Sequence, residues 1–379
     1  MRTPSPRILF YLFTALLAAC SHAPPAAPVV PTRAYGSPAL LKELDALLTR
    51  PYSDTQTVDV YYATSRAPLG DLSECGDAAF GIEHSKETSF GVCGINVPKH
   101  HKVGGFELAD GPRADPHRYY RAVSQTSFDE KGLLEALRAA PPGDVLVFVH
   151  GFNVKFQEAV FRAAQIAYDL KFQGPVLLFS WPAGSGDGAL EGRMVNITYQ
   201  NNRANAAKSQ PQAAAFFRLL AESGRKAHVV VHSMGHQVVL PALAQAAPAL
   251  TGRGVVGELI LNAPDFPVQD FKRLSPRFKP LADRVTVYCS YNDNAIAASE
   301  SYNKGRRMGA CEREPGVDVV NVGEIDAPAL GVGGLGHGYY ASRPILTDIL
   351  QTLFGIAAEK RLFIRRSEPN TPEDFYLRP

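Results

Sequence analysis

The stretch that decides the fold is Val229–His236, which reads Val-Val-Val-His-Ser-Met-Gly-His. A run of valines is typical of a strand buried on both faces, because helices cover both sides of a parallel sheet. From Gly235 to Ala246 the apolar residues have the spacing of a helix. Ser233 therefore stands in the turn between a buried strand and a helix, which is the setting of a nucleophile elbow. Such a turn exposes the serine hydroxyl beside the N–H groups of the helix N-terminus.

The elbow departs from the common Gly-x-Ser-x-Gly pattern at one position. Val231 stands where the first glycine is usual, and Gly235 keeps the second. A side chain two residues before the serine is tolerated where there is space beside the strand. The alternative is that Ser233 only caps the following helix, since serine is a favoured N-cap residue.

Outward from this turn, strand and helix patterns alternate along the chain. Strands are predicted over 57–63, 90–97, 118–124, 145–149, 175–179, 227–231, 256–261, 284–290 and 317–322. Helices are predicted over 128–140, 158–170, 205–220, 235–246 and 345–354. Repeated strand–helix units predict an α/β fold, with a mostly parallel central sheet and helices on both faces. The first strands, within about 57–125, are expected to be antiparallel and to lead into that sheet.

A serine used for acyl transfer needs a base, an acid that orients the base, and donors for the oxyanion. Around a nucleophile elbow these residues follow the chain order serine, acid, histidine. His337 is the only histidine after position 236, and it lies in the glycine-rich segment 331–338. Glycines let the backbone bring the imidazole over the edge of the sheet. We expect His337 to be the base; the alternative is a loop histidine exposed to water.

Two aspartates compete for the role of the acid. Asp293 follows the predicted strand 284–290, and Asp265 follows the predicted strand 256–261. Both lie at carboxyl ends of strands, where open α/β sheets bind ligands. The usual acid follows the strand just before the last one, which favours Asp293. For Asp265 the alternative is a cap for a helix predicted over 266–274.

Two backbone N–H groups are the expected oxyanion donors. One belongs to Met234, the residue after the serine. The other belongs to Phe152, because the predicted strand 145–149 is followed by His150, Gly151 and a helix. Gly151 permits the close turn that aims this N–H group at the serine. We interpret His150 as a structural residue that is satisfied within the loop.

These residues together resemble a bacterial branch of the α/β-hydrolase superfamily, an esterase/lipase-like group of unknown specific function. The matching segments are Tyr61–Arg66, Val149–Asn153, Phe179–Pro182, His232–Gly235, Ala263–Asp265, Asn292–Asp293 and Gly336–His337. Their order, with Phe-Ser-Trp-Pro between His-Gly and the serine, is more specific than any one segment. The resemblance implies the α/β-hydrolase fold and the triad Ser233, Asp293 and His337, and it implies no substrate.

Charge and histidine spacing narrow the chemistry further. The chain has 39 Lys and Arg against 37 Asp and Glu, and removing Arg2 and Arg7 leaves 37 of each sign. This neutral remainder argues against nucleic acid as the main partner, because phosphate binding needs a basic surplus. A triad needs no cofactor, so we expect none. We also expect no metal, because ligand spacing is lacking at His84, His100, His101 and His117.

The first 50 residues are predicted to be a signal peptide and a tether. Residues 1–19 carry an apolar run over 8–19, which is too short to span a bilayer and is typical of a signal peptide. The run ends in Leu-Ala-Ala-Cys20, which resembles a bacterial lipobox and implies attachment of lipid chains such as palmitate at Cys20. Ser21 favours the periplasmic face of the outer membrane over the inner membrane. Residues 20–50 are rich in proline and alanine, which indicates an extended tether. The alternative is an ordinary secretory signal with a chance cysteine.

The remaining cysteines suggest disulfides. An even number in an exported chain predicts two bridges, with three possible connectivities. The local scheme pairs Cys75 with Cys93 and Cys289 with Cys311. Each bridge would close a loop of about twenty residues, worth roughly 3 kcal/mol in the chain-entropy model. The alternative is buried free thiols.

Three further segments have an expected role. Trp181, the only tryptophan, either lines an acyl pocket or packs in the core. Residues 183–204 have little hydrophobic period and are expected to form a lid or a surface loop. Residues 51–357 are assigned to the hydrolase domain, and residues 358–379 to an exposed, weakly ordered tail.

The sequence thus predicts a serine hydrolase of the cell envelope, a carboxylesterase or related acyl hydrolase. Its expected partners are a small-molecule or lipid ester and the membrane, through the anchor at Cys20. One alternative is a non-catalytic binding or scaffolding lipoprotein on the same fold, for which the missing first glycine is the only support. The other is a thioesterase, amidase or peptidase with the same triad, since the fold does not decide among these.

Overall fold

The computed structural model describes residues 56–70, 72, 74–109, 115–185, 195–325 and 337–378. The strands are β1 (Gln56–Pro68), β2 (Phe80–Val97), β3 (Arg121–Phe128), β4 (Val145–Val149), β5 (Val176–Ser180), β6 (Ala227–His232), β7 (Val256–Asn262), β8 (Ala282–Cys289), β9 (Asp318–Asn321), β10 (Ile364–Arg366) and β11 (Phe375–Leu377). The α-helices of this part are α1 (Glu130–Ala139), α2 (Phe156–Asp169), α3 (Val195–Ser223), α4 (His236–Leu250), α5 (Val268–Phe278), α6 (Asn294–Asn303) and α7 (Arg343–Leu353).

All of these strands belong to one eleven-stranded sheet, in the order β10-β11-β9-β8-β7-β6-β4-β5-β1-β2-β3. The neighbours from β11 through β9, β8, β7, β6, β4 and β5 to β1 are parallel. Every residue of β4, β5 and β7 is buried, as expected of strands covered on both faces. Helices α1, α3, α4 and α5 cover one face, and α2 and α7 cover the other. The predicted α/β-hydrolase architecture, a mostly parallel sheet with helices on both faces, is confirmed.

The beginning of the domain is antiparallel, as the sequence predicts. β1 pairs with β2 in antiparallel fashion and with β5 in parallel fashion, so it joins the lead-in hairpin to the main sheet. β2 then pairs antiparallel with β3. A disulfide between Cys75 and Cys93 ties the connection that precedes β2 to that strand.

The last 22 residues differ from the expectation. Residues 358–379 were expected to form an exposed, weakly ordered tail, and that expectation is wrong for the part that the structure describes. β11 pairs parallel with β9, and β10 pairs antiparallel with β11, so both strands extend the sheet. Ile364, Phe375 and Leu377 are buried there. Strands of three residues are too short to show a period among their charged and proline neighbours.

The start of α3 also differs from the expectation. The helix begins at Val195 instead of 205, so the second half of the segment expected to be a lid or surface loop is helical. Its inward positions there are polar, with Thr198 and Asn202 buried, and this hides the helical period from a search for apolar residues. Residues 186–194 of that segment lie outside the described residues. So do the glycines of 331–336 and the whole N-terminal region with Cys20.

The described residues all belong to one compact unit, residues 51–379. Among them, no helix combines the length and apolar character that crossing a membrane requires.

Candidate active site

Ser233 occupies a strained turn between β6 and α4. Its φ is +53°, in the left-handed region that side-chain-bearing residues rarely adopt. A short 3₁₀ turn, Ser233–Gly235, carries the chain from the strand into the helix. The helix has Gly235 at its N-cap position and no side-chain cap bond, so Ser233 does not cap it. The strained turn therefore holds the hydroxyl of Ser233 at the carboxyl edge of the sheet.

Two glycines allow the chain to pack closely around this turn. A Cβ atom on Gly235 would lie 2.5 Å from the carbonyl oxygen of His150. A Cβ atom on Gly151 would lie 2.7 Å from the Cβ atom of Ser233. Neither distance is tolerable, so both positions need glycine. Val231, which replaces the usual first glycine, is fully buried in the core and leaves the turn intact.

The imidazole of His337 lies between Ser233 and Asp293. His337 Nε2 is 2.7 Å from Ser233 Oγ, and His337 Nδ1 is 2.7 Å from Asp293 Oδ2. The carboxylate accepts a hydrogen bond from Nδ1–H, so Nε2 is the unprotonated nitrogen and accepts a hydrogen bond from the serine hydroxyl. The three predicted residues are thus brought together in hydrogen-bond contact.

Asp293 is also the N-cap of α6. Its Oδ1 accepts hydrogen bonds from the N–H groups of Ala295 and Ile296, each 3.0 Å away, while Oδ2 faces His337. The side chain is fully buried, and the helix N-terminus favours its negative charge. The helix thereby fixes the carboxylate in the orientation that the imidazole needs.

Asp265, the alternative acid, has other partners. Its carboxylate accepts hydrogen bonds from Tyr199 (2.8 Å) and Ser299 (2.5 Å), and Arg307 Nε lies 3.3 Å from it. None of these hydrogen bonds or ion pairs joins it to His337. It does not cap α5 either, because that helix begins at Val268 with Pro267 as its N-cap. The backbone N–H of Asp265 instead donates to the carbonyl of Ser233, 3.3 Å away.

The loop after β4 lies against the serine. Gly151 packs on Ser233, so Phe152 follows at the point of contact. The next N–H, that of Asn153, donates to Asn202 Oδ1 at 3.0 Å, which ties the loop to α3. Within the described residues, no loop or turn carbonyl accepts a hydrogen bond from the N–H of Phe152 or of Met234. Both predicted oxyanion donors are therefore placed in segments that border the hydroxyl.

His150 is a structural residue, as the sequence indicates. Its Nδ1–H donates to the carbonyl of Gly151 (3.1 Å), and its Nε2 accepts from the N–H of Trp181 (3.2 Å). Burial, reinforced by the charge of Arg66, lowers the pKa of His150 well below its usual range. Trp181 is fully buried, stacks on this imidazole and donates from its indole to the His150 carbonyl. Its role is packing rather than lining an acyl pocket.

Arg66 is a fully buried cation that sequence reasoning did not single out. Its guanidinium donates to Ser180 Oγ and to the carbonyls of Gly81, Val154 and Ala183, at 2.7–3.0 Å. Burial lowers the pKa of Arg66 to about 9, so the group stays charged at neutral pH. It clasps the loops after β4 and β5 beneath the site. In the sequence, the only indication of a role for Arg66 is the resemblance of Tyr61–Arg66 to the family.

His232 is the second residue that sequence reasoning did not assign. Its Nε2–H donates to the backbone carbonyl of His337 at 3.1 Å. Its ring stacks on Tyr340 at 4.0 Å and lies 4.8 Å from the ring of His337. Burial and the neighbouring His337 lower the pKa of His232 well below its usual range. His232 therefore stays neutral and holds the backbone of the base.

The remaining positions singled out in the sequence are the cysteines and the scattered histidines. Cys289 pairs with Cys311, so both bridges of the local scheme are present. Across the described ranges, no group of three or more His, Cys, Asp or Glu side chains is arranged to hold a metal ion. His101 lies between Glu107 and Asp169, 2.8 Å from each. Burial opposes its protonation, but its hydrogen bonds to these carboxylates outweigh burial and raise the pKa of His101.

Comparisons with known proteins place the chain in a family. No curated protein matches it. Among solved structures, it is similar to a cold-adapted esterase from an Arctic intertidal metagenomic library, at 13% identity and a TM-score of 0.34, over 80% of this chain and 96% of that one. It is similar, at the same identity and TM-score, to a dienelactone hydrolase-like promiscuous phosphotriesterase from metagenomic libraries, over 80% of this chain and 98% of that one. These scores are too low to indicate a shared chemistry. A family model described as "Alpha/beta hydrolase of unknown function" (DUF900) matches residues 125–355, and the chain therefore belongs to this family of α/β hydrolases.

Proposed function

We propose that the protein is a serine hydrolase that cleaves carboxylic esters through an acyl-enzyme. The observation that carries this proposal is the imidazole of His337, which lies 2.7 Å from Ser233 Oγ and 2.7 Å from Asp293 Oδ2. A neutral imidazole oriented in this way accepts a proton from the hydroxyl as the hydroxyl attacks. The buried Asp293 stabilises the imidazolium that forms.

In the first half of the reaction, Ser233 Oγ attacks the ester carbonyl and its proton passes to His337 Nε2. The carbonyl oxygen becomes an oxyanion, which accepts hydrogen bonds from the N–H groups of Phe152 and Met234. The tetrahedral intermediate then collapses. The bond to the alcohol oxygen breaks, His337 gives its proton to that oxygen, and the acyl group stays on Ser233.

In the second half, water replaces the alcohol. His337 takes a proton from the water as the water oxygen attacks the acyl carbonyl. The same N–H groups stabilise the second oxyanion. The bond to Ser233 Oγ breaks, the serine recovers its proton from His337, and the carboxylic acid leaves. The cycle consumes one ester and one water, and every proton moves through His337.

The proposed place of this activity is the cell envelope, with the chain anchored through lipid at Cys20. The lipobox-like segment before Cys20 supports this, and so do the two disulfides, since such bridges persist in oxidising compartments. Metabolic labelling with an alkyne fatty acid is expected to mark the wild-type chain and to fail on Cys20→Ser. Equal labelling of the two proteins would contradict the anchor.

The catalytic proposal is tested by comparing two aspartate variants on a short-chain aryl ester. Asp293→Asn keeps a good N-cap for α6 but stabilises the wrong tautomer of His337, so kcat is expected to fall by about 10³-fold or more. Asp265→Asn is the matched control, because that carboxylate lies at the neighbouring strand end and does not touch the imidazole; it is expected to lose far less activity per folded molecule. Comparable losses in the two variants would contradict the assignment of the acid. Matched thioester and amide substrates, run with the wild type, decide whether the ester is the preferred bond.

A further inference from the structure

A row of three aromatic rings leads away from the loop that borders Ser233. Phe152 lies in that loop, Tyr199 on the second turn of α3, and Tyr302 near the end of α6. The ring centroids of Phe152 and Tyr199 are 5.8 Å apart, and those of Tyr199 and Tyr302 are 5.4 Å apart. We call these three residues the aromatic strip. Phe152 and Tyr199 are half-buried against the core, and Tyr302 is 39% exposed.

The hydroxyl groups of the strip are committed to partners inside the protein. Tyr199 donates to Asp265 Oδ2 at 2.8 Å, and Tyr302 accepts from the side-chain amide of Gln200. The ring faces of the strip are carbon, and they are the apolar surface that it offers to a ligand. Val195, one turn before Tyr199 and on the same side of α3, is 60% exposed and extends this apolar surface.

The strip is connected to the reacting serine at two points. Through Phe152, it adjoins Gly151, which packs against the Cβ atom of Ser233. Through Tyr199, it reaches Asp265, whose backbone N–H donates to the carbonyl of Ser233. A group attached to a carbonyl held at the serine would have the strip as its neighbour.

We propose that the aromatic strip binds the hydrocarbon part of the acyl group, and that the substrate is an ester of a medium-length or aromatic carboxylic acid. This inference rests on the proposed function. Contact with an apolar chain removes both the chain and the exposed carbon of the strip from water, which stabilises the complex in proportion to the area covered. An acetyl group is too short to reach Tyr302 and gains nothing from it.

The test compares acetyl and octanoyl esters of the same nitrophenol in four proteins: wild type, Tyr302→Ala, Tyr302→Phe and Phe363→Ala. Phe363 is the matched control, since it is equally exposed at 39% and precedes β10 at the far edge of the sheet. Tyr302→Ala is expected to lower kcat/KM for the octanoyl ester by about tenfold and for the acetyl ester by less than about twofold. Tyr302→Phe keeps the ring and is expected to keep the preference, as is Phe363→Ala.

A second measurement tests ligand binding by the aromatic strip in the absence of catalysis. Calorimetric titration with 4-nitrophenyl octyl ether, which contains no ester bond, is expected to show weaker binding to Tyr302→Ala than to the wild type and Phe363→Ala. An unchanged ester ratio together with unchanged ether binding in Tyr302→Ala would overturn the proposal. So would equal losses in Tyr302→Phe and Tyr302→Ala, because the hydroxyl contact to Gln200 would then be the cause. If the folded wild type cleaves neither ester, the proposed function fails alone, and the ether titration still decides on the strip.

Discussion

Four histidines lie around Ser233, and only one of the four is placed to accept the proton of its hydroxyl. Burial lowers the pKa of His150 and of His232 well below the usual range, and lowers that of His236 to about 3. Each of these three rings uses an N–H to hold a backbone carbonyl, and none contacts Ser233 Oγ. They remain neutral near pH 7 and act as fixed donors. The proton of the serine therefore has one destination, His337.

His232 is expected to be a positioning residue for that base. His232→Phe keeps the ring stacked on Tyr340 but removes the N–H that holds the carbonyl of His337, so kcat is expected to fall about tenfold with KM little changed. His232→Gln retains a donor and is expected to recover part of the loss. Steady-state kinetics on one ester check this, with thermal unfolding as the control for folding. A rise in KM at constant kcat, or equal losses in the two variants, would contradict the role.

At the scale of elements, the site is assembled from one turn and two loops that pack closely against one another. The elbow after β6 and the loop after β4 touch at Gly151, and Arg66 and Asn202 hold that loop from beneath and from the side. The acid comes from the start of α6, in a segment closed by the disulfide between Cys289 and Cys311. Ser233 and His337 are thus held by contacts from other elements, whereas Asp293 is held by the helix that it caps.

The contact between the elbow after β6 and the loop after β4 leads to a prediction for Gly151→Ala. The new Cβ atom would meet the Cβ atom of Ser233 at 2.7 Å, so the loop must move and the N–H of Phe152 moves with it. Loss of one oxyanion donor is expected to lower kcat by about 10²-fold with a small effect on KM. Gly76→Ala is the control, because nothing lies closer than 3.9 Å to a Cβ atom there. Wild-type kcat in the folded Gly151→Ala protein would exclude Phe152 as a donor.

Elements with a continuous apolar pattern could be predicted from the sequence, whereas elements with polar inward positions could not. Strand β4 was predicted at its observed bounds because five consecutive apolar residues fit a strand buried on both faces. The start of α3 could not be predicted because the buried positions Thr198 and Asn202 are polar, where a helical period would place apolar residues. The triad residues could be named because a chain-order rule exists. Arg66 and His232 could not, since their roles depend on backbone carbonyls that only the folded chain brings near them.

At the scale of the whole molecule, the two ends of the sheet differ in chemistry. Ser233, Asp293 and His337 lie at the carboxyl ends of the strands. At the opposite end, a cavity of about 640 Å³ is lined by Arg138, Arg225, Lys226 and Arg253. The three arginines donate to carbonyls at or just beyond the C-termini of α1 and α3, and Lys226 pairs with Asp283. These cations complement helix ends, so their positive charge has a structural explanation. The cavity is therefore a weaker candidate for the functional site than Ser233, Asp293 and His337.

Two buried histidines, His236 and His101, are expected to contribute to stability with opposite pH dependences. His236, with its pKa lowered to about 3, is neutral in the folded state, whereas the unfolded chain protonates near pH 6.5, so stability is lost as pH falls below about 6.5. His101 has a raised pKa, so its contribution is complete below about pH 6.5 and is lost as pH rises through the raised value. Urea unfolding between pH 5 and 9 is expected to show His101→Gln most destabilised at the acid end. If the loss of unfolding free energy in His101→Gln grew toward alkaline pH, it would contradict stabilisation of protonated His101 by Glu107 and Asp169.

The most direct test of the central claim is covalent capture of the nucleophile. The folded wild-type protein, treated with a fluorophosphonate, is expected to gain the mass of one phosphonyl group, and peptide mapping is expected to place that group on Ser233. Ser233→Ala is expected to stay unmodified under the same conditions. Labelling of Ser233→Ala at the wild-type rate, or a folded wild type that takes up no label, would contradict a serine hydrolase built on Ser233, His337 and Asp293.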